Sequence, residues 1–177
     1  MARWTSLALG AAFAALATLP AGAVDAAASA WREIDWPFLR DAWPNGRAFA
    51  CNAQDCGADV RLYARVKVGF CDCAKGVADD EEIDRVGDAD LVSGAFEPLE
   101  RGAPAEVAGM AGRSRLYAAK EPRARRILVF AGGRNCNAFA AMAVSGAQLP
   151  PAAVKAVTRK LDDPGFMRWI AEKEGGG

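Results

Sequence analysis

The chain has 177 residues, with 22 Lys and Arg against 22 Asp and Glu, and it contains no histidine. The balanced charge gives no electrostatic reason to expect a nucleic acid or an anionic membrane as the partner. Without histidine, the chain cannot perform Ser-His-Asp or Cys-His catalysis, and it cannot form haem sites of the CxxCH type or Cys/His zinc sites. We therefore predict no catalytic residue, no metal site and no cofactor.

The first 23 residues have the three parts of a secretory signal. Arg3 provides a basic start, an apolar run extends from Leu7 to Leu19, and Ala21-Gly22-Ala23 is an A-x-A cleavage site. The run is shorter than the ~20 residues that a spanning helix needs, and no later segment is long and apolar enough to cross a membrane. We expect cleavage after Ala23, with residues 26–28 as a second option and a retained N-terminal anchor helix as the alternative. Residues 24–177 would then form a single domain in the periplasm or outside the cell.

The first half of this domain begins with an aromatic segment and continues into strands. Four aromatic residues, interrupted by two prolines, lie within residues 31–46, and we expect this segment to cross the domain as an irregular strap. A short strand at 48–51 and a polar loop at 52–59 follow. Apolar and polar residues then alternate from 60 to 71, which predicts a long strand with one buried face and one solvated face. A solvated face favours an antiparallel sheet.

The second half contains further strands and ends in helices. The pattern predicts a helix over 79–87, a loop over 93–105, and strands over 107–119 and 126–131. A turn at 132–135 and a returning strand at 136–144 would complete a β-hairpin. Two helices follow, one opened by Pro150-Pro151 and one capped by Asp163. The fold class is therefore α+β, with a central antiparallel sheet, flanking helices, a C-terminal helix pair and no domain boundary.

Five cysteines follow the signal: Cys51, Cys56, Cys71, Cys73 and Cys136. Export would place them where disulfides form and persist, and an odd number leaves at least one thiol over. Cys51 and Cys56 flank a short loop, so we predict a bridge between them. Cys136 could pair with Cys71 or Cys73, and our prediction takes Cys73.

The Cys71-Asp72-Cys73 run also allows a chemical interpretation. A thiol–disulfide redox site could use Cys71 and Cys73, with Cys136 as a third participant, and the same thiolates could hold a soft metal such as Cu(I). The absence of a C-x-x-C motif and of a thioredoxin-type βαβ pattern argues against the redox interpretation. A structural role for the cysteines is the favoured prediction.

Two charged regions could bind ligands. The predicted solvated face of the long strand has a set of basic and aromatic side chains: Arg61, Tyr63, Arg65 and Lys67. This set could bind an anionic ligand or another periplasmic protein. The acidic residues from Asp79 onward have the oxygen ligands that calcium prefers, but their spacing does not fit an EF-hand loop. An acidic helix start on a solvated face is the favoured interpretation of this second region.

Several runs together resemble a group of uncharacterised exported proteins of alphaproteobacteria: Trp36-Pro37, Asp41 to Phe49, Phe70 to Cys73, Gly76 to Asp80 and Asp84 to Val86. This resemblance implies a periplasmic home. The order of the elements is also similar to that of the Mog1/PsbP-type α/β/α sandwich, which implies a binding or assembly role. We therefore predict a non-enzymatic periplasmic binding or assembly-accessory protein, with a thiol-redox or thiolate-metal protein as the alternative.

Overall fold

A computed structural model describes residues 30–39, 41–70, 72–120, 123–146 and 148–175. The predicted signal sequence and Cys71 lie outside the described residues. Within these ranges the eight strands are β1 Arg32–Ile34, β2 Arg47–Cys51, β3 Val60–Lys67, β4 Phe96–Pro98, β5 Ala103–Val107, β6 Met110–Ala119, β7 Arg125–Arg134 and β8 Asn137–Ser145. The five helices of the same ranges are α1 Ala53–Cys56, α2 Asp80–Val86, α3 Ala89–Val92, α4 Pro151–Leu161 and α5 Pro164–Gly175.

All the strands belong to one antiparallel sheet, in the order β1-β2-β3-β8-β7-β6. The outer edge of β6 pairs with two short strands. One half of that edge pairs with β5 and the other half with β4. The sheet, its flanking helices and the C-terminal helix pair confirm the predicted α+β class.

Helices cover both faces of the sheet. On one face, here called the α4 face, Leu161 of α4 and Phe166 of α5 pack against a core that includes Phe139 of β8. On the other face, here called the α2 face, Ile83 of α2 packs against a second core that includes Val129 of β7. Every residue of β3 from Leu62 to Lys67 is buried, so this strand has no solvated face over that stretch and the inference of one is wrong.

Two tight turns shift the predicted strand boundaries. Ala108-Gly109 joins β5 to β6 with φ values of 51° and 71°, and Asn135-Cys136 joins β7 to β8 with 52° and 64°. Two-residue hairpin loops with positive φ at both positions match the right-handed twist of the strands. The predicted strand 107–119 is therefore split by a turn at its start. β7 continues through residues 132–134 of the predicted turn, and the turn itself lies at 135–136.

Gly132, one of the glycines of that predicted turn, lies in β7 instead. Gly112 of β6 pairs directly with Gly132 of β7. A Cβ atom on Gly112 would lie 2.0 Å from the carbonyl oxygen of Ala131. The two strands approach too closely at this point for any side chain on Gly112, so glycine here marks close backbone contact rather than a turn.

Short elements occupy the two segments that were predicted to be loops. The loop at 52–59 contains α1, which Asn52 caps by accepting a hydrogen bond from the Asp55 amide at 3.0 Å. The loop at 93–105 contains β4 and the first residues of β5. Elements of three to five residues contain too few positions to show a periodic pattern in the sequence.

Candidate functional site

An ion cluster, here called the buried ion cluster, lies on the α2 face. It joins the buried side chains of Arg65, Lys67 and Asp88 to the more exposed Asp41. Arg65 donates from Nε and Nη2 to the two carboxylate oxygens of Asp88 at 2.7 and 2.6 Å. Its Nη1 donates to both oxygens of Asp41 at 2.9 and 2.8 Å. Lys67 Nζ lies 2.6 Å from Asp88 Oδ1 and donates to the Val86 carbonyl at 3.0 Å. Two of the three cations of β3 are thus engaged inside the protein.

This cluster corrects the predicted partner surface. Arg65 is 4% exposed, Lys67 3% and Tyr63 5%, so none of the three is available to a partner, whereas Arg61 is exposed. The strap and the α2–α3 segment cover these side chains, and the Trp36 ring lies 6.1 Å from the ring of Tyr63. Charged side chains are buried when partners satisfy their charges, and here two carboxylates from distant segments do so.

The electrostatics of the cluster follow from burial and pairing. Burial lowers the pKa of Lys67, and the neighbouring carboxylate of Asp88 opposes that effect. Burial acts to raise the pKa of Asp41, but the Trp43 amide and the Arg65 guanidinium outweigh it and hold that pKa below its usual value. Because Asp41 lies in the strap and Asp88 lies between α2 and α3, the cluster ties both covering segments to β3. Its groups act on one another, which is a structural role.

The acidic start of α2 is also paired rather than simply solvated. Asp80 lies 2.5 Å from Arg113 Nη2, and Asp84 lies 2.7 Å from Arg115 Nη1, so two arginines of β6 hold the helix on the sheet. Tyr117 donates its hydroxyl to Asp84 at 2.5 Å. Burial, reinforced by this hydrogen bond, raises the pKa of Tyr117. Within the described residues, no group of three Cys, Asp or Glu side chains is arranged to hold a metal ion.

One disulfide lies at the tip of the β7–β8 hairpin and joins Cys73 to Cys136, across 63 residues. Of the two predicted partners of Cys136, Cys71 and Cys73, the structure has Cys73. Cys73 is exposed and Cys136 is partly exposed. Cys136 also has a φ of 64°, a conformation that costs a non-glycine residue about 1–3 kcal/mol. The bridge is therefore accessible, and one of its two residues has a strained backbone.

The other disulfide joins Cys51 to Cys56, across 5 residues, at the opposite end of the sheet. Both cysteines are buried, with exposures of 4% and 2%, and they belong to the core of the α4 face. The predicted redox and metal interpretations depended on Cys71 and Cys73. Cys73 is held in the hairpin bridge, and Cys71 lies outside the described residues.

Arg61 belongs to a different group, here called the arginine row, with Arg32 and Arg125. Arg32 of β1 and Arg61 of β3 both align with Ala50 of β2, so the two arginines lie on the same α2 face two strands apart. Arg61 also aligns with Val144 of β8, which aligns with Ile127 of β7, and Arg125 lies two residues before Ile127 on that face. Sequence analysis missed Arg32 and Arg125, because the register that aligns them cannot be obtained from composition or periodicity.

Neither a protein-family model nor a curated protein matches the chain. The resemblances to exported alphaproteobacterial proteins and to Mog1/PsbP-type sandwiches therefore stay predictions. Among the described residues, no helix has both the length and the apolar character needed to cross a membrane.

Proposed function

We propose that this protein is an exported, non-enzymatic binding or assembly-accessory protein that works in the periplasm or outside the cell. The observation that carries the proposal is the pair of disulfides, Cys51–Cys56 and Cys73–Cys136. Disulfides of this kind persist in oxidising compartments and are rare in reducing ones. The signal-like pattern of residues 1–23 supports the same compartment independently, since it depends on none of the cysteines.

The distribution of charge supports a binding role. The charged groups of the buried ion cluster are paired with one another, and Asp80 and Asp84 of α2 are paired with arginines of β6. The three side chains of the arginine row make no hydrogen bond or ion pair with any other described residue, and Arg32 and Arg61 are exposed while Arg125 is partly exposed. Charge held on a surface without a partner inside the chain is available to a second molecule.

Fractionation of a bacterial host that expresses the full chain tests the compartment. Protein from the periplasm would be treated with a thiol label before and after reduction and then mapped by mass spectrometry. We expect an N-terminus at residue 24, one bridge between Cys51 and Cys56, one bridge between Cys73 and Cys136, and one labelled thiol at Cys71. An intact cytosolic chain with five labelled thiols would contradict the proposal.

A second candidate function, thiol–disulfide exchange or thiolate-metal binding at Cys71 and Cys73, is favoured by the exposure of Cys73 and the strained backbone of Cys136. In the redox version, a dithiol of a partner protein is oxidised to a disulfide while its two electrons and two protons convert the hairpin bridge to two thiols.

Titration of this bridge against glutathione distinguishes the candidates. A structural bridge has a reduction potential below about −300 mV, whereas the bridges of thiol–disulfide exchange proteins lie at about −270 mV or above. Binding of Cu(I) that a Cys71→Ser variant loses would favour the metal version.

A further inference from the structure

We propose that the arginine row binds an acidic, unfolded segment of another exported protein, in which a carboxylate recurs at every third residue. This inference rests on the proposed function and names the partner class for its binding surface. The row lies at the sheet end that carries Cys51, away from the hairpin bridge and the buried ion cluster.

The spacing of the row is the first argument. Arg32 and Arg61 are separated by two strand intervals, and neighbouring strands lie about 4.8 Å apart, so their Cα atoms are about 9.6 Å apart. Arg125 lies two strands beyond Arg61 and two residues further toward the strand end, which makes that interval about 12 Å. A long arginine side chain reaches across the additional distance.

A polyproline II segment matches this spacing. It has three residues per turn and a rise of about 3.1 Å per residue, so every third side chain lies on the same side at intervals of about 9.3 Å. A β-strand does not match, because its residues i and i+3 point to opposite sides. Polyproline II is a major conformation of unfolded chains, and the match therefore favours an unfolded acidic segment over a folded partner.

The chemistry of the row is the second argument. Between Arg32 and Arg61 lies the small residue Ala50, so no bulky side chain of the sheet separates these two arginines. Between Arg61 and Arg125 lies Val144, which is 7% exposed and hence covered by other residues, so an approaching chain contacts the ends of these two long side chains above that cover. Asp59, two residues before Arg61, accepts a hydrogen bond from the Ala53 amide at 3.0 Å and is thereby engaged in the loop. Guanidinium groups bind carboxylates through paired hydrogen bonds, which gives the interaction its geometry as well as its charge.

Two capped nine-residue peptides of equal composition and charge provide the test. One has the sequence (Glu-Pro-Pro)3, and the other places its three glutamates together before six prolines. Fluorescence anisotropy with the full-length, signal-processed protein at low salt should give a Kd at least tenfold lower for the spaced peptide. This preference should fall as salt is raised, since the contact is ionic.

Two triple variants assign the preference to the surface. Arg32→Gln/Arg61→Gln/Arg125→Gln should bind the spaced peptide no better than the clustered one. The control, Lys155→Gln/Arg159→Gln/Arg168→Gln, removes the same charge from exposed positions of α4 and α5 and should keep the full preference. Thermal melting shows that each variant is folded before it is used.

Several outcomes would overturn the inference. These are equal affinity for both peptides, no measurable binding of either, or the same loss of preference in both triple variants. Arginine-dependent binding to phosphatidylglycerol vesicles without any preference for the spaced peptide would overturn it as well. None of these results affects the fractionation and disulfide map, so a failure here is distinguishable from a failure of the proposed function.

Discussion

The two ends of the central sheet are fastened in different ways. At the hairpin end, the Cys73–Cys136 bridge joins segments 63 residues apart, and the Arg65–Asp88 ion pair joins segments 23 residues apart. At the opposite end, the Cys51–Cys56 bridge joins segments only 5 residues apart, and the arginine row has no described partner. Long connections restrict the unfolded chain more than short ones do. The hairpin end is therefore stabilised by contacts distant in sequence, whereas the disulfide at the other end joins residues that are close in sequence.

Removal of the long bridge should have the largest effect on stability. In the chain-entropy model, closing a loop of this length stabilises the folded state by about 4 kcal/mol. We expect Cys73→Ala/Cys136→Ala, made in a Cys71→Ser background so that no thiol remains there, to lower the free energy of unfolding by that amount in urea denaturation. The background alone serves as the control. A loss below about 1 kcal/mol would show that the hairpin end does not depend on its covalent connection.

The ionic connection at the same end should rank second. Asp88→Asn leaves Lys67 and one side of Arg65 without a carboxylate in a buried place, which costs about 3 kcal/mol. Asparagine tolerates the left-handed backbone of Asp88, whose φ is 63°, so the change tests charge rather than backbone conformation. Asp90→Asn removes an equal charge from an exposed position and should change stability by less than about 0.5 kcal/mol. If the two changes lowered the free energy of unfolding equally, the buried ion cluster would contribute no more to stability than an exposed charge does.

The short bridge should contribute about half as much as the long one. The same entropy model gives about 2 kcal/mol for a loop of this length. We expect Cys51→Ala/Cys56→Ala to lose that amount in urea denaturation. The two bridges also differ in burial. Dithiothreitol under native conditions should therefore reduce the exposed Cys73–Cys136 bridge well before the buried Cys51–Cys56 bridge. Reduction of both bridges at the same rate would mean that the whole protein must unfold before either bridge reacts.

The same contrast between near and distant contacts explains what the sequence could predict. Periodicity located β3, β6, β7, β8 and the last two helices, because the pattern of each depends on residues close in the chain. The antiparallel sheet was inferred correctly, although the reason given, a solvated face of β3, was wrong. Arg65 and Lys67 were predicted to be solvated because their carboxylate partners are distant in sequence. Asp41 is 24 residues from Arg65, and Asp88 is 21 residues from Lys67. No local pattern marks such pairs, and none aligns Arg32 with Arg61.

The smallest effect concerns the backbone of the hairpin turn itself. Cys136 has a φ of 64° at a position where glycine is favoured, and Asn135 before it completes the preferred Asn-Gly pair of a type I′ turn. In the Cys71→Ser background, Cys73→Ala/Cys136→Gly should therefore be about 1 kcal/mol more stable than Cys73→Ala/Cys136→Ala.

A matched substitution in a strand should have the opposite sign. Ala111→Gly, at an exposed position of β6, should destabilise the protein by about 0.5–1 kcal/mol, because glycine loses more conformational freedom on folding. If glycine at 136 proved no better than alanine, the turn would carry no strain, and the case for a reactive bridge would lose its backbone argument. If glycine stabilised the protein at position 136 and destabilised it at position 111, the long bridge would stabilise the hairpin end while holding Cys136 in an unfavourable backbone conformation.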